Sequence, residues 1–522
     1  MPAKKKTAAK KEKSIEESLW QTANSLRGSV ESAEYKHVVL SLIFLKFVSD
    51  KFEAHRQTLV ERGQEKYLEM SAAYAKDNVF YLPETSRWSY IKANAKQDDL
   101  ALKIDSALKE VEKTNKSLQG ALPDNYFSRL GLNKSKLSSL VDEISGINTI
   151  ADEETDIIGR VYEYFLKRFA IAEGKGKGEF YTPKNIVNLI ASIIEPYEGI
   201  IYDPCCGSGG MFVQSLEFIK NHEGNTKKVS IYGQEQTSTT YKLAKMNLAI
   251  RGITANFGKR ADDTFFNDQH PDLKADYIMA NPPFNQKKWR ADTELLDDPR
   301  WDGFAVPPKG NANYGWILHM ISKLSSNGMA GFILANGALK GDGEERNIRQ
   351  QIIEKDLLEC IVTLPRNMFY STDIGVTLWI LNANKSRLEE TKNGSLRKYK
   401  DRSKQVLFVD LRTWGSLVEK KFIELGENEF LKIVQTYQEW KNEAGSYLDV
   451  PEYCKSATAE QIARNDYSFA PSRYVEFVDR GIVEQYEEEL EQSSSLLEQL
   501  LNDEVENNSD LNKALKGLGY GV

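Results

Sequence analysis

Apolar and polar positions follow two rhythms along this chain. Between about Ile15 and Ile150 the apolar residues fall at helical spacing, as in Val38, Leu40, Leu42, Ile43, Leu45, Phe47 and Val48. The period-two alternation of half-buried strands is missing there, so the spacing predicts a helical packing domain over 15–150. From Ala151 to Trp414 short apolar runs alternate with helical patterns, which predicts an α/β domain with a doubly wound, largely parallel sheet. Strands are expected at Gly199–Tyr202, Val229–Glu235, Tyr277–Ala280, Gly331–Leu334, Glu359–Leu364 and Val376–Leu381. The last two are split by a loop holding Pro365 and Gly375 and suit an antiparallel pair that ends the sheet. From Val418 onward the pattern returns to helix, making 415–522 a mostly helical C-terminal region. Its acidic, amphipathic end carries Ile482, Tyr486 and Leu490, then Leu496, Leu497, Leu500, Leu501 and Val505. It reads equally as a helix folded onto its own domain and as one that binds a partner. The lysine- and alanine-rich start, residues 1–14, has no signal-peptide core and reads as a disordered, solvated tail rather than a DNA contact.

Chemistry gathers at the carboxyl ends of the expected strands, where open α/β sheets bind their ligands. Asn281-Pro282-Pro283-Phe284 directly follows the run Tyr277–Ala280. Neither proline donates a backbone hydrogen bond, and the second restricts the first, so the loop is rigid. It presents one amide and one aromatic ring, a pair suited to a flat, neutral amine held by hydrogen bonds and stacked on one face. A plain strand-ending turn is the bland alternative. Upstream, Asp203-Pro204-Cys205-Cys206-Gly207-Ser208-Gly209-Gly210 joins a strand to a helical pattern at Met211, Phe212, Ser215, Leu216 and Ile219. Glycines let the backbone approach a ligand closely. The order is neither that of a P-loop nor the G-x-G-x-x-G of dinucleotide sites. Glu235, at the tip of the next strand, is placed to accept hydrogen bonds from both hydroxyls of a ribose. These features point to a nucleoside cofactor without a polyphosphate tail.

The D-P-C-C-G-S-G-G run, the acidic strand end and N-P-P-F resemble the motifs of S-adenosylmethionine-dependent amino-methyltransferases acting on DNA adenine. Gly178-Glu179-Phe180-Tyr181-Thr182-Pro183 resembles the family's G-x-[FY]-x-T-P element, and its place ahead of the glycine loop is the gamma arrangement. The opening Ser18 to Gly28, running on to Lys46–Asp50, resembles the modification subunit of a type I restriction-modification system. With Asp466-Tyr467-Ser468 and Ser472-Arg473-Tyr474 the resemblance covers nearly the whole chain. It implies a Rossmann-like methyltransferase sheet with an N-terminal helical domain and a C-terminal helical region. It also implies methyl transfer to the N6 amine of a flipped adenine in double-stranded DNA. In that reaction Asn281 and the Pro282 carbonyl would accept the amine's N–H groups, Pro283 would stiffen the loop, and Phe284 would stack on the base. The cofactor would be held by Glu179, Phe180, Tyr181, Thr182, Pro183, Asp203, Cys205, Gly207, Ser208, Gly209, Gly210 and Glu235. Asp263 is a candidate for its adenine edge, with Asp262 as a rival. The implied partners are a separate specificity subunit, which the N-terminal domain would pack against, and an ATP-hydrolysing restriction subunit. Two copies of this chain are implied per specificity subunit.

Composition adjusts this picture in three places. At 522 residues and 41% hydrophobic, the chain should hold more than one domain, and no apolar run is long enough to cross a membrane. Four cysteines, two of them adjacent, suit a reduced, cytoplasmic protein, and none has metal-ligand spacing; Cys205 and Cys206 read as small residues behind the cofactor loop. A lone DNA-binding protein is usually basic, yet the formal charge is −7, so DNA affinity and sequence reading are expected from the specificity partner. Gln286-Lys287-Lys288-Trp289-Arg290, leading into Pro299 to Asn313, suits a DNA-backbone contact, although Trp289 and Trp301 could equally be anchors for that loop. Two rival functions remain at this level. One is a protein-glutamine or RNA methyltransferase with the same planar-amide logic; Phe284 and the opening segment weigh against it. The other is a non-catalytic, cofactor-binding assembly subunit, opposed by intact Asn281, Asp203 and Glu235.

Overall fold

The computed structural model describes residues 17, 20–21, 32–77, 79–147, 161, 163–165, 167–168, 182–369, 373–418, 422–478 and 485–517. The described part of the N-terminal region is helical, as its spacing predicts, with α1 (Ser32–Glu61), α2 (Leu100–Thr114) and α3 (Lys134–Ser145) as the longer elements. Val38 to Leu45 of α1 are all fully buried. A helix covered on every side is the central member of a bundle.

The α/β part continues with α4 (Lys184–Ile194), β1 (Gly199–Asp203), α5 (Gly210–Asn221), β2 (Val229–Gly233), α6 (Ser238–Ile250), β3 (Ala255–Asn256) and β4 (Ala275–Ala280). After a long loop come α7 (Asn313–Lys323), β5 (Leu324–Ala335), α8 (Glu344–Glu354), β6 (Leu358–Thr363) and β7 (Val376–Asn382). The hairpin β8 (Glu389–Lys392) and β9 (Ser395–Lys398), then β10 (Gln405–Asp410), β11 (Ser416–Val418) and β12 (Phe422–Glu424), lead to α9 (Glu427–Lys441) and β13 (Cys454–Thr458). Nine of these strands form one sheet in the order β13-β10-β6-β7-β5-β4-β1-β2-β3. Adjacent residues bury opposite faces: Ile201 and Met279 pack with α4 and α5, whereas Tyr202 and Ile278 pack with α7 and α8. Gly331 lets α4 lie close against the sheet, since a Cβ there would lie 2.6 Å from Ile190.

The sheet runs further than the sequence pattern predicts. β6 and β7 do pair antiparallel, from Leu358 opposite Leu381 to Thr363 opposite Thr377, but they do not end the sheet. β10 adds to β6 in parallel, and β13 pairs antiparallel with β10. The expected boundary at Trp414 therefore cuts through the sheet, and 415–475 is not a purely helical region. β13 escapes a pattern search because it is a short edge strand, Cys-Lys-Ser-Ala-Thr, that buries only Cys454 and Ala457.

The N-terminal helices are not a detached module. Leu243, Met246 and Ile250 of α6 belong to their core, and the ammonium groups of Lys242 and Lys245 donate to the carbonyls of Leu122 and Gln119. Glu195 caps α4 and pairs with Lys441 of α9 at 3.0 Å and Arg397 of β9 at 2.6 Å. Glu476–Val522 forms a compact unit of its own. Its helix α10 (Gln485–Gly517) leaves Leu490, Leu496, Leu497, Leu500, Leu501 and Val505 exposed. Among the described residues no helix is long and apolar enough to cross a membrane.

Candidate active site

From β1 the chain builds outward through β2 and β3, then returns to place β4 on the other side of β1. Such a switch point opens a crevice at the carboxyl ends of the two central strands. Asp203 closes β1 and Asn281 immediately follows β4, so two of the motifs meet there. The crevice holds two adjoining cavities. One is lined by Thr182, Asp203, Gly207, Ser208, Gly210 and others. The second is lined by Glu235, Gln236, Asp263, Phe265, Pro283 and others. Cys205 and Asn281 line both.

The glycine loop is stitched to the end of β2. Asp203 accepts from the Cys205 N–H at 3.0 Å, while the Glu235 carboxylate accepts from the N–H of Gly207 at 3.1 Å and of Thr237 at 2.8 Å. Gly207 and Gly209 take positive φ values of 55° and 78°, which a side chain would resist, and Gly210 then opens α5. Burial pushes the Asp203 carboxyl up to about 7; hydrogen bonds from Cys205 oppose the rise and the Glu235 carboxylate adds to it. Burial likewise holds the thiols of Cys205 and Cys206 far above the ordinary thiol range, so both are packing residues rather than nucleophiles.

Asn281, like Gln214, Gln286 and Trp316 in the lining of the crevice, carries a buried polar atom with no hydrogen-bond partner among the described residues. Its Nδ2 donates to Thr182 Oγ1 at 3.0 Å. Its carbonyl Oδ1 is buried and has no hydrogen-bond partner among the described residues. An unmet buried acceptor costs about 1–3 kcal/mol, a cost that a donor on a ligand would remove. Phe284 is half-buried and meets Phe369 edge-on, with ring centroids 5.8 Å apart. Pro183 caps α4, whereas Glu179, Phe180 and Tyr181 lie outside the described residues.

The two aspartates after β3 separate by environment. Asp263 lines the second cavity and accepts from Gln236 Nε2 at 3.1 Å and from the Phe265 N–H at 2.8 Å. Asp262 is used within its own turn, accepting from Arg260 and Asn267. Of the two, Asp263 is the one that lines the cavity.

Sequence reasoning missed what holds that turn. Arg300, from the long loop after N-P-P-F, donates to the carbonyls of Thr264 (3.0 Å) and Phe265 and forms an ion pair with Asp298 at 2.6 Å. Thr264 in turn donates to the Pro204 carbonyl at 2.7 Å, tying the glycine loop to the same turn. His319 lies 3.3 Å from Arg300 and 3.1 Å from the Tyr202 hydroxyl; burial, helped by the Arg300 charge, holds its imidazole down at about 3, hence neutral. The base of the long loop is clasped by Asn285 and Asn313. The Asn285 N–H donates to Asn313 Oδ1 and Asn313 Nδ2 donates back to Asn285 Oδ1, both at 3.0 Å. The Asn-Ala-Asn at 311–313 was the available signal, and it is unreadable without its partner 26 or 28 residues earlier. Trp289 and Trp301 are the anchors of this loop: both are buried, and their indole N–H groups donate to the carbonyls of Pro308 and Leu295. Lys287 and Lys288 are exposed. No group of His, Cys, Asp and Glu suited to a metal ion occurs among the described residues.

Comparison with known proteins now has a geometry to meet. A family model described as N-6 DNA methylase matches residues 153–480, and one described as HsdM N-terminal domain matches 15–144. The chain belongs to the N-6 DNA methylase family. It is 40% identical over 464 residues to the type I restriction enzyme HindI methylase subunit of Haemophilus influenzae, covering 84% of this chain and 100% of that one. It is 35% identical over 529 residues to the type I restriction enzyme MjaIX methylase subunit of Methanocaldococcus jannaschii, covering 97% and 92%. The type I restriction-modification methyltransferase subunit of Streptococcus thermophilus, 22% identical, shares the fold with a TM-score of 0.71 over 88% of this chain and 99% of that one. The chain is thus a type I restriction methylase subunit, an adenine-N6-specific DNA methyltransferase, as the motifs had led one to expect. Membership implies S-adenosylmethionine as cofactor. The crevice fits such a molecule: two carboxylates beside a glycine loop suit a cationic sulfonium nucleoside with a ribose diol, and would repel a polyphosphate.

Proposed function

We propose that this subunit methylates an adenine turned out of the DNA duplex, inside a complex whose separate specificity subunit reads the sequence. The observation that carries the proposal is the buried, unpartnered Oδ1 of Asn281 at the wall shared by the two cavities. The amine of adenine is a poor nucleophile because its lone pair is delocalised into the ring. Asn281 Oδ1 and the Pro282 carbonyl accept its N–H groups, favouring a pyramidal nitrogen with a localised lone pair. The rigid loop fixes both acceptors beforehand, which is electrostatic preorganisation. Phe284 stacks on the extruded base, since an amine inside a base pair cannot reach this crevice. When bound, S-adenosylmethionine supplies an electrophilic methyl group, and Asp203, Glu235 and Asp263 hold it beside Asn281 together with the 179–183 element and the glycine loop. The net charge of −7 supports a specificity partner that supplies DNA affinity, and the exposed leucines of α10 support subunit contact through that helix. Two copies of this chain around one specificity subunit, joined by a restriction subunit, complete the proposed cytoplasmic assembly.

The test is label transfer from radiolabelled S-adenosylmethionine to duplex DNA, with and without the specificity subunit encoded beside this chain. N6-methyladenine formed only when both are present is the expected result. Label on DNA with this chain alone would overturn the partner argument, and label on protein or RNA would overturn the substrate. Asn281→Ala should keep cofactor binding and lose methyl transfer by about 10³-fold or more.

A further inference from the structure

The two cavities of the crevice divide the cofactor between them. Glu235 and Asp263 line the second, and Asn281 lines both. With the nucleoside in the second cavity and the sulfonium beside Asn281, the remaining substituent on sulfur, the aminocarboxypropyl chain, extends into the first. That chain ends in a carboxylate and an ammonium. The N-terminus of α5, beginning at Gly210 in the lining of this cavity, suits the carboxylate. The ammonium needs acceptors, and one with a full negative charge serves it best.

The first cavity offers such acceptors in a pair that the motifs did not mark. Glu163 and Gln214 both line it. Gln214, on α5, is 5% exposed, and its Oε1 has no hydrogen-bond partner among the described residues. Its Nε2 faces Glu163 Oε1 at 3.5 Å. A carboxylate is an acceptor only, so the amide turns its N–H end toward Glu163 and leaves its carbonyl oxygen unmet. Glu163 is fixed in turn by Arg251, whose guanidinium pairs with it at 3.1 Å from outside the cavity lining. Asn247, another amide of this lining, is used at both ends: Nδ2 donates to the Ser208 carbonyl at 2.7 Å, and Oδ1 accepts from Arg251. From this geometry we propose that Glu163 and Gln214 form the subsite for the cofactor's α-ammonium group, the carboxylate supplying charge and Gln214 Oε1 a fixed acceptor. The inference rests on S-adenosylmethionine as the cofactor and names the residues that grip its amino-acid end.

S-adenosylhomocysteine is the probe, because it lacks the sulfonium charge and its α-ammonium is its one cationic group. Calorimetry on the full chain compares it with two analogues. One bears an α-hydroxyl in place of the amine; the other, 5′-methylthioadenosine, lacks the amino-acid end. Wild type should bind the α-hydroxy analogue about tenfold more weakly than S-adenosylhomocysteine, the scale of a hydrogen bond to a charged group. Glu163→Gln and Gln214→Met should each weaken S-adenosylhomocysteine by a similar factor, about tenfold. Both should change the affinity of the two analogues less than about threefold, a ligand dependence that general damage to the cavity does not produce. Gln214→Met leaves the Glu163–Arg251 pair in place, so it carries the test alone if Glu163→Gln fails to fold. Equal losses for S-adenosylhomocysteine and its α-hydroxy analogue, or a wild type that binds these two equally, overturn the inference. Unchanged affinity in both variants also overturns it and would assign the ammonium to Asp203, the other carboxylate of this lining. A wild-type chain that binds neither S-adenosylmethionine nor S-adenosylhomocysteine overturns the cofactor reading instead, so the two failures are distinct.

Discussion

The buried Asp203 makes cofactor binding a proton-linked event. In the free protein its carboxyl is pushed up from 3.8 to about 7, chiefly by burial. A cationic ligand reverses part of that cost, because a nearby positive charge favours the ionised form. If Asp203 is ionised in the complex, binding at pH 6 must first remove a proton from about nine in ten molecules. At pH 8 only about one in ten carries that proton. S-adenosylmethionine should therefore bind about tenfold more weakly at pH 6 than at pH 8, with about 0.9 proton released per molecule bound at the lower pH. Calorimetry at pH 6 in two buffers of different ionisation enthalpy reads the release directly. Asp203→Asn should abolish both the release and the pH dependence. Equal affinity at the two pH values, or no buffer-dependent heat at pH 6, would refute the reasoning. The same group sets a stability slope of defined sign. A carboxyl raised in the folded state contributes stability that is present below its unfolded value and is lost as pH rises through about 7. The free wild-type protein should thus lose thermal stability between pH 5 and pH 8 relative to Asp203→Asn.

Other consequences follow from residues outside the motifs. Arg300→Met removes the guanidinium that pairs with Asp298 and holds the turn bearing Asp263, so cofactor affinity should fall about tenfold in calorimetry, equivalent to about 1.4 kcal/mol. Unchanged affinity would show that the long loop does not set that turn. Glu195 is held down at about 2 even though burial acts the other way, because Lys441, Lys392 and Arg397 surround it. Its contribution is therefore present above about pH 4.5 and is lost as pH falls through about 2. Glu195→Gln should destabilise the protein at pH 7 by about 3 kcal/mol and flatten the acid limb of the melting-temperature profile; a parallel profile would refute that pairing. Trp301→Ala removes a buried anchor of the 285–312 loop and should speed proteolytic cleavage there, with the sites read by mass spectrometry, while leaving α1 protected.

Much of the chemistry was legible because it is local. An apolar run followed by Asp203 and three closely spaced glycines, or by Asn281-Pro282-Pro283, fixes a strand, a turn and a functional group within about ten residues. Backbone sterics act at that range without help from the rest of the chain. The helical nature of the first region and the six central strands were readable for the same reason, since each periodicity repeats inside one element. What stayed hidden depends on segments far apart in sequence. β13 is a strand because β10 offers it an edge, not because Cys-Lys-Ser-Ala-Thr prefers one. Asp262 and Asp263 are equivalent as letters and separate once one of them lines a cavity. Arg300 could have been any loop arginine until the fold brought it to the carbonyls of Thr264 and Phe265. Thr182 and Asn281 were each marked by motif, but that the two meet follows from β4 ending beside the start of α4. The sequence by itself determined which groups this protein owns and which short segments present them. The tertiary structure decided which of them are buried, which are paired and which acceptor is left unmet, because desolvation and hydrogen-bond partnership are set by neighbours that the chain reaches only by folding.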